Sequence, residues 1–120
     1  MQSSPRPLVW IGSTRGDVRT FPRAVRRAVG HALYAAQEGE VDPSAKPLSG
    51  FGGASVLEIV AQHRGGTWRA VYTVRYPEAV YVLHVFQKKS KRGMATVKKD
   101  IDLIRQRLNE AERQHHIRQN

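Results

Sequence analysis

Tyr81-Val82-Leu83-His84-Val85-Phe86-Gln87-Lys88-Lys89-Ser90-Lys91-Arg92-Gly93 decides how the rest of this sequence is read. Its first half is β-branched and aromatic, free of Gly and Pro, and predicts a strand. Its second half gathers Lys88, Lys89, Lys91 and Arg92 with no acid among them. A hydrophobic strand that delivers clustered cations to a sheet edge suits the holding of a polyanion. Lysines at a strand end also serve simply to protect a sheet edge.

Two more strands precede this one. Val56 to Gln62 is apolar, and His63-Arg64-Gly65-Gly66 reads as a hairpin turn, because Gly tolerates positive φ. Thr67 to Tyr76 alternates: Trp68, Ala70, Tyr72, Val74 and Tyr76 take one face, and Arg69, Val71, Thr73 and Arg75 the other. Pro77-Glu78 makes the next turn, so three strands form an antiparallel meander. Glu58 alternates with apolar residues and is a partner for one of the two arginines.

Upstream, Leu8 to Gly12 is a short strand. Phe21, Val25, Ala28, Ala32 and Leu33 recur at helical spacing, predicting a helix from Thr20, its N-cap, to about Gln37, with Pro22 in the first turn and Gly39 as the stop. Arg19, Arg23, Arg26 and Arg27 lie on its other side, as a solvated face or a docking face for RNA or an acidic partner. Glu38 to Gly53 reads as a flexible loop carrying Lys46; its Gly cluster lacks the Gly-Lys-Ser/Thr ending of a phosphate-binding loop. Downstream, Val97, Ile101, Ile104, Leu108 and Ala111 predict a last helix from about Thr96 to Ile117. The order implies an α+β fold, with helices packed on one face of a small twisted antiparallel sheet and the other face partly open. Residues 1–7 are expected to be a disordered leader, 8–113 one domain and 114–120 a frayed tail.

The 120 residues carry 20 Lys and Arg against 10 Asp and Glu, a net charge of +10. That balance predicts attraction to nucleic acid or another polyanion. The absence of Cys excludes disulfides and thiolate chemistry and fits a reducing cytoplasm. No apolar run approaches a membrane span. The five His are scattered and the carboxylates dispersed, so neither a metal site nor any other cofactor is expected, and no Ser sits in a nucleophile elbow.

Cations with Tyr and His fit phosphoryl chemistry on RNA without a metal. The RNA's own 2′-hydroxyl attacks the adjacent phosphate, and the protein aligns the groups and neutralises the charge that builds on the phosphate oxygens. Arg suits that task, being bidentate and always charged. A Lys crowded by cations loses affinity for its proton and becomes able to move it. Arg75, Lys91 and Arg92 are the further cations expected to hold RNA.

Lys46-Pro47-Leu48-Ser49-Gly50-Phe51, Leu57-Glu58-Ile59, Trp68-Arg69-Ala70-Val71-Tyr72 and Leu83-His84-Val85-Phe86-Gln87-Lys88-Lys89-Ser90, in this order, resemble the RelE/ParE superfamily of toxins, in its phage-derived, HigB-like branch. The resemblance spans about Leu8 to Leu108. It implies a ribosome-dependent endoribonuclease that cuts mRNA by 2′-hydroxyl attack and is inhibited by a cognate antitoxin, often a helix-turn-helix protein. It also implies that Arg69 contacts the scissile phosphate, that Lys88 and Lys89 are the basic residues ending the last strand, and that Lys46 is a loop cation. Val60-Ala61 stands where this branch often has an Arg, and the family's proton-transfer group has no counterpart. His84 and Tyr72 are the stand-ins, and alternation places Tyr72 away from Arg69. The alternatives are a ParE-like poison of DNA gyrase and a noncatalytic basic RNA-binding module.

Overall fold

A computed structural model of the chain describes residues 4–88 and 96–119. In chain order the elements are β1 (Leu8–Trp10), α1 (Thr14–Val18), α2 (Arg23–Gln37), β2 (Ala45–Pro47), β3 (Val56–His63), β4 (Gly66–Thr73), β5 (Val80–Lys88) and α3 (Lys98–Gln119). The strands form one sheet in the order β1-β5-β4-β3-β2. The β3-β4-β5 meander is its centre, as the alternation predicts. β1 joins β5 in parallel, and β2 pairs antiparallel with β3.

The α+β expectation holds, but the layering differs in one respect. Alternate residues of each strand feed two separate cores. Leu57, Ile59, Ala70, Tyr72, Val80 and Val82 pack under Val25, Val29, Ala32 and Leu33 of α2. Val56, Val71, Tyr81 and Leu83 pack under Ile104, Leu108 and Ala111 of α3. A helix therefore covers each face, where both were expected on one. Both strand faces being apolar is the reason: Val71, Tyr81 and Leu83 would otherwise lie in water.

A β-bulge sets the parity of β5. Tyr72 pairs with Val82 and Val71 with His84, so Leu83 is an extra residue. Val80 and Val82 face α2 before it, and Val85 faces α2 after it. Leu83 and His84 thus both face α3, and Phe86 and Lys88 follow on that side, matched to Arg69 and Thr67. Without the extra residue Lys88 would emerge on the face away from Arg69.

Several boundaries move. Pro22, not Thr20, is the N-cap of α2; its missing N–H costs nothing there, while the Thr20 hydroxyl donates to the Asp17 carbonyl of α1. Lys46 lies in a strand rather than a loop. The hairpin turns on Arg64 and Gly65, both at positive φ, so a non-glycine residue adopts the left-handed conformation there. Part of the expected leader is docked: the Arg6 amide donates to the Gln37 carbonyl, and the Gln37 side chain donates back to the Arg6 carbonyl. α3 continues through the expected frayed tail to Gln119, where His115 is buried against Tyr76 and bonds Tyr81 and Glu78. No helix among the described residues is long and apolar enough to cross a membrane.

Candidate active site

α3 lies along its sheet face as a ridge. At about 100° per residue, Ile104, Leu108 and Ala111 point down into the core. Asp100 and Arg107 then flank one side of the ridge, and Ile101 and Arg105 the other. The two flanks are different places.

On the β2 side the helix leaves the sheet uncovered, and a cavity of about 690 Å³ opens there. Its floor is the α3 face of β2, β3 and β4, where Lys46 sits opposite Glu58 and Val60 opposite Arg69. Among the described residues that line it, Glu58 is the one carboxylate, with Lys46, Arg69 and Arg105 around it. The Arg69 guanidinium donates to Glu58 Oε1 at 2.5 Å, and the Thr96 hydroxyl donates to Glu58 Oε2 at 2.7 Å. Arg69 is 4% exposed and Glu58 7%. Taking two such charges out of water is tolerable only when they are paired and hydrogen-bonded, as here. Arg69 thus lies on the face that alternation assigns to it, buried rather than solvated.

The far wall is the segment Pro47 to Phe51. It is anchored: Phe51 is buried in the α3-side core, Arg105 lies 4.6 Å above its ring, and the Arg105 guanidinium donates to the Gly50 carbonyl. Gly50 adopts φ +94°, which turns that carbonyl towards Arg105 at a conformation L side chains rarely accept. Helical spacing alone puts Arg105 off the apolar stripe of α3 and says no more of it. Nothing in a one-dimensional pattern signals that it reaches across to a loop 55 residues earlier.

Lys88 ends β5 beside this floor. Partial burial lowers its ammonium from the ordinary lysine value, the Arg69 guanidinium lowers it further, and Glu58 opposes both. The cation run that follows it, including the expected site residues Lys89, Lys91 and Arg92, lies outside the described residues.

On the β1 side of the ridge His84 is itself closed in. His84 is 8% exposed and stacks on Phe86 with ring centroids 4.5 Å apart. Its Nε2 lies 2.8 Å from Asp100 Oδ1 and its Nδ1 3.5 Å from Arg107, which also donates to the Leu83 carbonyl and to the Ser13 hydroxyl. Burial lowers the His84 pKa, against the pull of Asp100, so the ring is neutral and donates from Nε2 to the carboxylate. His84 is thus brought to α3 but not to the cavity. Tyr72 is fully buried on the α2 side, and burial raises its phenol to about 12, which removes it as a proton-transfer group. Arg75 is exposed beyond the end of β4, the end opposite Lys88, and is not gathered with the others.

The family model described as "Phage derived protein Gp49-like" matches residues 16–109. The chain belongs to the phage-derived Gp49-like family. This is the phage-derived branch of the RelE/ParE superfamily that the strand motifs resemble. No curated protein matches the chain. Among solved structures it is similar to an arginine-to-alanine double variant of the Escherichia coli toxin RelE in the free state. The TM-score is 0.51 at 17% identity, over 68% of this chain and 82% of that one. It is also similar to the Mycobacterium tuberculosis toxin–antitoxin complex RelBE2, with a TM-score of 0.47 at 20% identity, over 74% of this chain and 98% of that one. The Gp49-like chain thus has a RelE fold, and its cavity stands on the open part of the α3 face.

Proposed function

We propose that this Gp49-like chain is the toxin of a toxin–antitoxin pair and cuts mRNA on the ribosome by metal-independent attack of a 2′-hydroxyl. The observation that carries the reading is Glu58, the one carboxylate among the described lining residues, set among Arg69, Lys46 and Arg105 in a cavity of about 690 Å³. That volume falls within the roughly 300–1,000 Å³ of small-ligand sites and suits one or two nucleotides. The titration-prone Lys88 stands beside it.

In this reading Glu58 accepts the proton of the 2′-hydroxyl as that oxygen attacks the adjacent phosphorus. Arg69, hydrogen-bonded to Glu58 in the free protein, turns its fork to the non-bridging oxygens as the charge on them grows. Lys88, its ammonium destabilised, gives its proton to the departing 5′-oxygen, leaving a 2′,3′-cyclic phosphate and a 5′-hydroxyl. Lys46 and Arg105 hold the flanking phosphates from the two rims. Thr96 orients the Glu58 carboxylate. His84 acts through α3 instead, by fixing its first turns at the cavity's edge. Lys89, Lys91 and Arg92, next in the chain, add phosphate contacts. A cognate antitoxin restrains the protein in the cytoplasm.

The test is cleavage of a message on purified translating ribosomes, with the ends mapped. Wild type yields cyclic-phosphate and 5′-hydroxyl ends. Glu58→Gln and Lys46→Ala lower the rate about 10²-fold or more. Intact mRNA with stalled replication and induced DNA-damage response on expression would instead favour the gyrase reading.

A further inference from the structure

The strongest charge feature outside the cavity runs from α1 onto α2, the helix that covers the other face of the sheet. Arg15, Arg19, Arg23, Arg26 and Arg27 fall within thirteen residues of α1 and α2, and all five are exposed. None of them has an acidic partner among the described residues. The one acid of that stretch, Asp17, accepts a hydrogen bond from Ser13. α2 has no acid in its first turn and places three arginines at its N-terminal end. Cations there oppose the helix dipole, so the arrangement costs helix stability and is not explained by folding.

The same helix holds a second feature that folding does not explain. On a wheel of 100° per residue, Val25, Val29, Ala32 and Leu33 mark the buried side, and Arg23, Arg27, Gly30, His31 and Tyr34 form the outward stripe. Gly30 is mid-helix, and a Cβ built on it meets nothing within 4 Å. No packing among the described residues requires a glycine there. A bare backbone between arginines and the half-exposed ring of Tyr34 suits a partner that approaches closely.

We propose that this outward stripe of α2, with Arg26 at its edge and Arg15 and Arg19 continuing it, is a second RNA surface. It docks the phosphate backbone of folded ribosomal RNA while the message occupies the cavity. The inference rests on the ribosome-dependent reading above. Five guanidinium groups and no lysine match phosphate forks better than the single carboxylates of an acidic peptide. A protein partner would want an apolar centre. The large apolar side chains exposed among the described residues are Tyr34, Val41, Val97 and Ile117, and only Tyr34 lies on this stripe. α2 and the cavity lie on opposite faces of the sheet, so one message strand would have to wrap round the sheet edge to serve both.

The experiment is co-sedimentation of the full-length protein with purified bacterial ribosomes at several salt concentrations, beside message cleavage and capture by the co-expressed antitoxin. The variant is Arg23→Ala/Arg26→Ala/Arg27→Ala, which favours the helix and leaves every cavity residue in place. The expected result is affinity lower by about tenfold or more near physiological salt, and a log–log salt slope smaller by about 2 to 3, with antitoxin capture retained. Equal ribosome binding by the variant overturns the inference and leaves the nuclease reading intact. Lost antitoxin capture with unchanged ribosome binding overturns it in favour of an acidic protein. Ribosome binding that depends on the arginines, without any cleavage by wild type, supports the surface and removes the nuclease. No ribosome binding by wild type removes both.

Discussion

The two flanks of α3 hold polar networks of similar size and opposite character. On the β1 side, His84, Asp100 and Arg107 close on one another, and every bond serves to tie the helix to β5 and to the turn at Ser13. On the β2 side, Arg69, Glu58 and Thr96 are just as buried, yet they form the floor of an open cavity with Lys46 and Arg105 at its rims. Burial alone does not tell a structural network from a chemical one. The difference is whether the buried charge faces space that a ligand can fill.

The comparison can be broken most easily at Arg69. Arg69→Ala leaves the Glu58 carboxylate buried and unpaired, and should cost about 3–5 kcal/mol in urea unfolding. Replacing both partners, as Arg69→Met with Glu58→Leu, should recover most of that stability while cleavage stays lost. A pair that is dispensable for stability but not for activity is what separates this flank from the other.

His84→Asn is the matching cut on the β1 side. Loss of the Asp100 bond should lower stability by about 1–2 kcal/mol and leave the single-turnover cleavage rate within a few-fold. The same variant sharpens the comparison through pH. Burial holds His84 below its unfolded value of about 6.5, so on acidification the unfolded chain takes up the proton first. That part of stability is therefore present above about pH 6.5 and lost below it, until the folded ring itself protonates. Thermal unfolding of wild type from pH 7.5 to 5.5 should fall more steeply than that of His84→Asn. The smallest expected effect lies away from both flanks: Gly30→Ala should raise stability by about 0.5–1 kcal/mol, because nothing packs on that glycine.

Much of this was legible beforehand. The alternation of β4 gave the faces of Arg69 and Tyr72 correctly, since no irregularity interrupts its pairing with β3. Spacing alone gave Ile101, Ile104, Leu108 and Ala111 of the α3 stripe, whereas Val97 precedes the helix and is exposed. Three things were not legible. The bulge at Leu83 is invisible in composition, yet it decides that Lys88 joins Arg69. The short strand β2 was hidden in a Pro- and Gly-rich segment, because three residues are too few to show a period; it nevertheless sets Lys46 opposite Glu58. Glu58 could be foreseen as an arginine's partner but not as the cavity's carboxylate, since that depends on where α3 stops covering the sheet.

The most direct measurement is the single-turnover rate of message cleavage on ribosomes for Glu58→Gln beside His84→Asn, both checked as folded. Loss of about 10²-fold or more in the first, with the second near wild type, is the predicted result. Wild-type cleavage by Glu58→Gln with abolished cleavage by His84→Asn would place the chemistry on the His84 flank and contradict the account.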